Sequence, residues 1–305
     1  MSNTKYTYAV ARIRALETKL FNQAVIDQLI GCATEEECIQ FLEEKGWGDQ
    51  ETSGNGEAIL NREEEKTWET IQEMGVDMSV FDVLSYPNLF HNLKAAIKEA
   101  CTPEGSRPTN IYYEDTSIPP QEMLEIIQNK EFSRLPQIMA EPAKEAYEAL
   151  LHTRDGQLCD VIIDRAALDA IYQAGQTARD KIIKDYAESV VAVADIRIAV
   201  RSQKTGKTVE FMKRAMAECE SLNVDQLARA AAGGIEAVAE YLSQTAYAQG
   251  GQAIAGSPSA FERWCDNRLM QDMQPQKYEV FSVGPLVAYV LARQNEIKTV
   301  RIILS

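Results

Sequence analysis

Apolar residues recur at helical spacing over most of the chain, whereas the apolar-polar alternation typical of β-strands is nearly absent. In residues 6–32, Ala9, Ile13, Leu16 and Leu20 step by four, three and four, so they predict a continuous apolar stripe along a helix. This pattern, repeated further along the chain, predicts an all-α fold.

Capping residues predict where several helices begin and end. Thr34 followed by Glu37 is typical of a capping box, and the helix that follows is expected to end near Gly46. Pro142 and Pro258 are each expected in the first turn of a helix, because proline lacks an N–H that is unbonded there anyway.

Ser257 is the natural N-cap before Pro258. The apolar pattern of residues 160–202 predicts a long helical stretch with a break or bend. Residues 101–108 and 204–207 carry the Pro, Gly and Thr that predict linkers. The stretch "AQGGQAIAGSP", residues 248–258, is expected to be a flexible connector or a partner-contact loop.

Three helix ends share one pattern: "NLKAAIK", "DIRIAVR" and "TVRIILS". They align Lys94, Arg197 and Arg301, which are 103 and 104 residues apart. In a second set, an apolar residue and a polar residue precede an arginine. This set aligns Arg62 with Arg165 at a spacing of 103 residues. These basic residues are expected to be structural repeat positions.

The second set is completed by Arg263, which follows Arg165 after 98 residues. Residues 38–47 also align with residues 238–247 at an offset of 200. Three alignments in the same order predict three related helical domains, with boundaries at residues 1–103, 104–206 and 207–305.

The chain has 305 residues and a net charge of −15, which disfavours a general role in nucleic-acid binding because the phosphate backbone would repel it. A basic surface on a partner would suit it better. The six cysteines form no CxxC pair and no zinc-like spacing, so we expect small core residues in a reducing compartment.

We expect a soluble, cytoplasmic chain without a membrane span. Basic residues interrupt the N-terminal segment, and the most apolar stretches, residues 190–194 and 283–292, are far shorter than the roughly 18 residues that a spanning helix needs.

No motif points to catalysis, to a cofactor or to a metal. Gly206-Lys207-Thr208 resembles the end of a phosphate-binding loop, but Arg201 stands where that loop needs glycine and a helix is predicted ahead of it. The two histidines, His91 and His152, belong to no HExxH motif and lie in different thirds of the chain. The sequence therefore favours a structural or coupling protein over an enzyme.

Several stretches resemble one known family along nearly the whole chain. They are "YAVARIRALETKLF" (residues 8–21), "NLFHNLKAAIK" (88–98), "FERWCDNRLM" (261–270) and, most specifically, "VGPLVAYVLARQNEIKTVRIIL" (283–304). The chain is similar to the C subunit of the bacterial and archaeal V-type ATPases, the counterpart of the d subunit of the eukaryotic V-ATPase.

The resemblance implies three similar helical domains in a pseudo-threefold, funnel-like arrangement. It also implies a peripheral position on the cytoplasmic face of the membrane-embedded proteolipid ring, where the protein receives the lower end of the central shaft, made of the D and F subunits. Such a protein has no nucleotide site and no ion site, and it transmits rotation. Family members usually continue beyond the position of Ser305 with a Gly-Lys turn and a short helix, so truncation or divergence is expected there.

Two other interpretations stay open at this stage. The chain could be a stand-alone helical enzyme or ligand-binding protein, which would need a deep pocket with convergent polar groups. It could also be a helical scaffold outside any ATPase. Whether the complex moves protons or sodium, whether it pumps or synthesises, and which residues contact partners are not encoded in any recognisable motif.

Overall fold

The computed structural model describes residues 6–103, 112–273, 275, 278–279 and 281–305. Every regular element in these ranges is a helix, which confirms the predicted all-α class. The α-helices are α1 (Thr7–Glu17), α2 (Gln23–Ile30), α3 (Glu35–Glu44), α4 (Gly56–Gln72), α5 (Asp82–Ala100), α6 (Pro120–Gln128), α7 (Gln137–Thr153), α8 (Gly156–Thr177), α9 (Lys181–Lys204), α10 (Val209–Ala215), α11 (Val224–Gly233), α12 (Ile235–Ser243), α13 (Ala248–Gly256), α14 (Pro258–Met273) and α15 (Gly284–Leu304). Short 3₁₀ helices span Met78–Phe81 and Phe132–Arg134.

The capping box at the start of α3 is confirmed. Thr34 Oγ1 accepts a hydrogen bond from the Glu37 backbone N–H at 3.2 Å. The Glu37 carboxylate in turn accepts a hydrogen bond from the N–H of Ala33 at 2.8 Å, one residue earlier than the N–H that the motif describes. The helix ends as expected, because Gly46 adopts a φ of 84° that disfavours other residues.

Of the two prolines predicted in the first turn of a helix, one is found there and the other is not. Pro258 begins α14, and Ser257 Oγ accepts from the N–H of Ala260 at 3.1 Å, as predicted. Pro142 instead lies inside α7, which begins after Pro136. That prediction is wrong because the earlier proline takes the position ahead of the helix, and the helix continues through the later one.

The long segment 160–202 contains the predicted break, since α8 ends at Thr177 and α9 begins at Lys181. The single apolar stripe predicted in residues 6–32 is interrupted, because this segment is not one helix. It divides into α1 and α2 because the Asn22 side chain caps the second helix, accepting from the N–H of Val25 at 3.1 Å. Leu20 therefore lies between helices rather than on the stripe.

The glycine-rich stretch near residue 250 is helical, so its prediction as a flexible loop is wrong. It forms α13, and its glycines permit close packing. A Cβ atom at Gly250 would lie 2.6 Å from the Trp264 ring, and one at Gly251 would lie 2.8 Å from the carbonyl oxygen of Ala239. The linker at 204–207 is confirmed between α9 and α10. Residues 104–108 of the other predicted linker lie outside the described residues.

The chain divides into two compact units. Unit 1 comprises Met1–Ser79 with Met273–Ser305, and unit 2 comprises Val80–Asp272. In unit 1, helices α2, α3 and α4 share one hydrophobic core with α15, through fully buried residues that include Leu42, Ile59 and Val300. Residues from both ends of the sequence therefore complete a single core.

Two hydrophobic clusters lie within the described residues of unit 2. One joins α5 to α6, α7 and α8, and the other joins α9 to α10, α11, α12 and α14. Helices α8 and α9 approach closely at Gly175, where an added Cβ atom would lie 2.3 Å from the Cβ of Ala187. In each cluster a long helix packs with the helices that follow it in sequence.

The observed cores do not coincide with the predicted repeats. The last helix of each of the first two predicted domains belongs to the core formed by the helices that follow it. Helix α5 lies within residues 1–103 but shares its core with helices from residues 104–206. In the same way, α9 shares its core with helices from the last third. The three-domain division by sequence stays a prediction.

Candidate functional site

The long helix α5 carries two ion pairs to α8. Lys94 Nζ lies 2.6 Å from Asp164 Oδ1, and Lys98 Nζ lies 2.5 Å from Asp160 Oδ1. Each pair of residues on one helix is four positions apart, which is about one helical turn. The two helices are thus joined by a short ladder of charges beside their apolar contact.

Helix α9 repeats this arrangement on α14. Arg197 bonds both Glu262 and Asp266 at 2.9 Å, and Arg201 bonds Glu262 at 3.0 Å. Here the basic helix again uses two residues one turn apart. The arginine fork lets Arg197 bind the two carboxylates through separate nitrogens, Nε to Glu262 and Nη2 to Asp266.

Helix α15 pairs with α4 in unit 1. Arg301 lies 3.2 Å from a carboxylate oxygen of Glu57 and 3.4 Å from one of Glu64. Burial raises the pKa of Glu64, and the charge of Arg301 opposes this change.

The ion pairs bring the two sets of predicted repeat positions near each other. Asp164 on α8 and Glu262 on α14 directly precede Arg165 and Arg263. The two acids on α4 lie on either side of Arg62 in the sequence. Each long helix thus contacts the helix that carries the next repeat position along the chain, and α15 contacts the one nearest the start. The six predicted residues form three separate places, not one site.

The second set of repeat residues has more varied surroundings. Arg165 donates to the carbonyl oxygen of Met216 and binds Asp169 at 3.0 Å. Arg263 is exposed. Arg62 contacts three carboxylates, those of Asp49, Glu65 and Glu69.

A buried asparagine on α5 fixes the segment that precedes α6 of the same core. Asn92 is fully buried, its side-chain oxygen accepts from the N–H of Tyr113 at 2.9 Å, and its NH₂ group donates to the carbonyl of Tyr113 at 2.8 Å. The NH₂ group also lies 3.1 Å from Thr116 Oγ1. All its hydrogen-bonding capacity but one lone pair is therefore used.

Asp195 holds the corresponding place on α9, two residues before Arg197 as Asn92 is two before Lys94. It is fully buried, and its Oδ1 accepts from the N–H of Ala217 at 3.0 Å. Its Oδ2 has no hydrogen-bond partner among the described atoms. Burial raises the pKa of Asp195 to about 8, so the side chain is largely protonated at neutral pH.

Helix α15 carries a third anchor of this kind. The Glu296 carboxylate accepts from the N–H of Phe21, across 275 residues of sequence. Burial raises the pKa of Glu296, while that hydrogen bond and Arg293 oppose the change. A buried polar side chain on each of three long helices thus binds a backbone N–H ahead of a helix of the same core.

Glu296 also belongs to a buried ionic cluster in unit 1. Arg293 contacts Glu296 and binds Glu63 at 2.5 Å. Glu63 further accepts from Lys66 at 2.7 Å and from the N–H of Gly48 at 3.0 Å. Such clusters stabilise only when each charge is paired, and here each charge has a partner.

Two aromatic residues at matching positions each pack against an arginine. Trp47 lies beneath Arg293, 5.1 Å from its guanidinium carbon, and Tyr247 lies 5.3 Å from that of Arg268. They end the aligned segments 38–47 and 238–247. Both aromatic rings are buried.

Groups that could perform chemistry do not converge in the described residues. His91 packs edge-on against Tyr113, and His152 is exposed. Thr208 caps α10, accepting from the N–H of Phe211 at 3.2 Å, so the Gly-Lys-Thr segment ends a linker. The described ranges contain no His, Cys, Asp and Glu group able to hold a metal, and the six cysteines are free thiols.

Comparison with known proteins identifies the family. The family described as ATP synthase (C/AC39) subunit matches residues 9–305. The chain belongs to this family. It is 20% identical over 299 residues to the C subunit of the V-type sodium ATPase of Enterococcus hirae, covering 96% of this chain and 90% of that protein. It is 22% identical to the C subunit of the A-type ATP synthase of Methanocaldococcus jannaschii, covering 98% and 82%.

Membership of the ATP synthase (C/AC39) subunit family confirms the resemblance carried by the N- and C-terminal stretches. None of the helices in the described ranges combines the length and hydropathy that crossing a bilayer requires. The buried anchors were missed from the sequence. Asn92 and Asp195 are nevertheless the first residues of "NLKAAIK" and "DIRIAVR". The alignment of asparagine with aspartate, two side chains of the same shape, is therefore the sequence signal for these anchors.

Proposed function

We propose that this protein is the non-catalytic central-stalk component of a bacterial or archaeal V-type ATPase or ATP synthase. It links the D–F shaft to the proteolipid ring on the cytoplasmic face of the membrane, and it transmits the rotation that couples nucleotide chemistry to proton or sodium transport. The observation that supports this most strongly is the family match over residues 9–305.

The named relatives also support the proposal, because one is the C subunit of a V-type sodium ATPase and the other is the C subunit of an A-type ATP synthase. The ion pairs between helices and the buried anchors are consistent with a protein that must resist deformation while it transmits rotation. The anchors fix backbone segments to long helices by hydrogen bonds, and the ion pairs join one helix to another. These bonds must break before a segment or a helix can shift.

The proposal includes three similar domains, at residues 1–103, 104–206 and 207–305, in a pseudo-threefold arrangement. Arg62, Lys94, Arg165, Arg197, Arg263 and Arg301 are their structural repeat positions. The support is the shared order of the ion pairs on α5, α9 and α15, together with the aligned anchors Asn92 and Asp195. Similar surfaces around an axis suit a protein seated on a ring.

The coupling role is tested by removing the gene for this chain from its host. Membrane vesicles are assayed for ATP hydrolysis and for ATP-driven ion uptake, with and without purified protein added back. We expect ion uptake to be lost without the chain and restored by its addition, while the isolated chain hydrolyses no ATP. An intact complex that pumps at the normal rate without this chain would overturn the proposal.

The partners are tested separately by binding assays. Purified D–F pair and detergent-solubilised proteolipid ring are each passed over the immobilised chain at increasing salt. We expect both to bind, and we expect ring binding to weaken with salt because a chain of charge −15 favours basic partner surfaces. Retention of neither partner would contradict the stalk role, whereas salt-independent retention would contradict only the electrostatic part.

A further inference from the structure

A cavity of about 200 Å³ lies in unit 1, and most of the ionisable side chains that line it are basic. It is bounded by the end of α1, the turn after α3, and helices α4 and α15. Its ionisable lining consists of four cations and one carboxylate besides a tyrosine: Lys19, Lys45, Lys66, Arg293 and Glu63.

The inner charges of this cavity balance each other. Lys66 and Arg293 both bind Glu63, and Arg293 also contacts Glu296 behind the wall. Two cations and two carboxylates therefore account for the buried part, so the floor of the cavity carries no excess charge.

The excess positive charge comes from Lys19 and Lys45, here called the rim lysines. Both are exposed, and in the described residues neither forms an ion pair. Lys45 Nζ lies 5.1 Å from the centre of the Phe41 ring, which provides no negative charge. In a chain with 46 acidic residues, two such lysines at one opening create a local positive potential.

We propose that this cavity binds a small multivalent oxyanion of the phosphate class. The volume equals that of about seven waters, which suits a phosphate group and is too small for a typical drug-sized ligand. Lysine binds phosphate as a point charge, and an anion between the rim lysines offsets their mutual repulsion.

The inner carboxylate sets the depth of binding. Glu63 would repel an anion at the floor, so the phosphate lies at the rim, between Lys19 and Lys45. Lys66 already donates to the carbonyl of Gly48 and to Glu63, which holds its ammonium group at the cavity wall. Leu16 and Leu20 line the same cavity, and their apolar surface limits competition from water.

The test is titration calorimetry of the full chain with inorganic phosphate at constant ionic strength. The test variant is Lys19→Gln with Lys45→Gln. The matched control is Lys144→Gln with Lys204→Gln, which removes the same charge from exposed positions on α7 and α9. We expect about three- to tenfold weaker phosphate binding in the test variant and unchanged binding in the control.

Two further titrations identify the source of the phosphate group. ADP replaces phosphate in one, and a short poly-glutamate peptide replaces it in the other. Rim-dependent binding of phosphate, alone or as part of ADP, supports the proposal. It is overturned by no phosphate or ADP binding at about 10 mM, by equal weakening in both variants, or by rim-dependent binding of the peptide alone. The assay uses the isolated chain, so its failure leaves the stalk role intact.

Discussion

At the scale of single residues, the protonation of Asp195 couples stability to pH. Its folded pKa is about 8 and its ordinary value is 3.8, so folding favours the protonated form. The stabilisation from that proton is complete below pH 4 and is lost as the pH rises toward 8. The residue therefore makes the fold weaker in mild alkali.

Asp195→Asn should remove this pH dependence, because an amide cannot ionise. Between pH 5 and pH 8, we expect the free energy of unfolding of the unmodified chain to fall by about 2–4 kcal/mol relative to the variant. Urea denaturation at both pH values measures the difference.

The converse substitution is the control for that experiment. Asn92→Asp places a buried acid at the corresponding position of α5, so it should create a new loss of stability with rising pH. If neither substitution changed the pH dependence, the two anchors would not be buried titrating positions of the kind described.

Arg293 is the residue on which the buried ionic cluster depends. Arg293→Met leaves Glu63 and Glu296 buried without their shared cation, so we expect a loss of about 3–5 kcal/mol in unfolding free energy. Arg62→Met removes a more exposed arginine that also binds several carboxylates, and about 1 kcal/mol or less is expected there. Equal losses in urea denaturation would contradict the difference in burial.

The sequence predicted which basic residues recur but not what they bind. Lys94 and Arg197 were found from spacing alone, yet their partners lie 70 and 65 residues away along the chain. Arg293 and Glu63 were not selected, since a charged residue in a helix is usually solvated and a partner 230 residues away leaves no local pattern.

At the scale of helices, the contact of α8 with α9 depends on a missing side chain. Gly175→Ala would place a methyl group 2.3 Å from the Cβ of Ala187, so we expect a loss of about 1–3 kcal/mol. Adding Ala187→Gly should recover part of it. Gly156→Ala is the control, because nothing lies within 4 Å of an added Cβ there. Thermal unfolding followed by circular dichroism measures all three.

Helix boundaries could be predicted where a side chain caps the helix. They could not be predicted where tertiary packing determines whether a segment is helical. Thr34 and Ser257 act through bonds three residues away, so their effect is visible in a short window. The glycines of α13 predict a loop by their low helix propensity, and propensity cannot show that Trp264 packs against Gly250.

At the scale of the whole chain, unit 1 depends on its C-terminal helix. A chain ending at residue 283 lacks α15 and with it Ile297 and Val300 from the shared core. We expect unit 1 to lose protection from hydrogen exchange and unit 2, whose cores lie within residues 89–265, to keep it. Undiminished protection of α2, α3 and α4 would contradict this.

The overall organisation was predicted only in outline. The all-α class followed from periodicity, since helical spacing is local. The grouping of helices into cores did not, because the predicted linkers mark where the chain turns and carry no information on which helices share apolar surface.

The pairing of α4 with α15 has a consequence for folding during synthesis. The helices of each core in unit 2 follow one another in sequence, whereas α2, α3 and α4 must wait for a helix more than 200 residues later. At about 5–20 residues per second, that delay is roughly 10–45 s. For that time the apolar faces of the first helices are without their final partner, which makes the N-terminal segment a natural client for chaperones on the nascent chain.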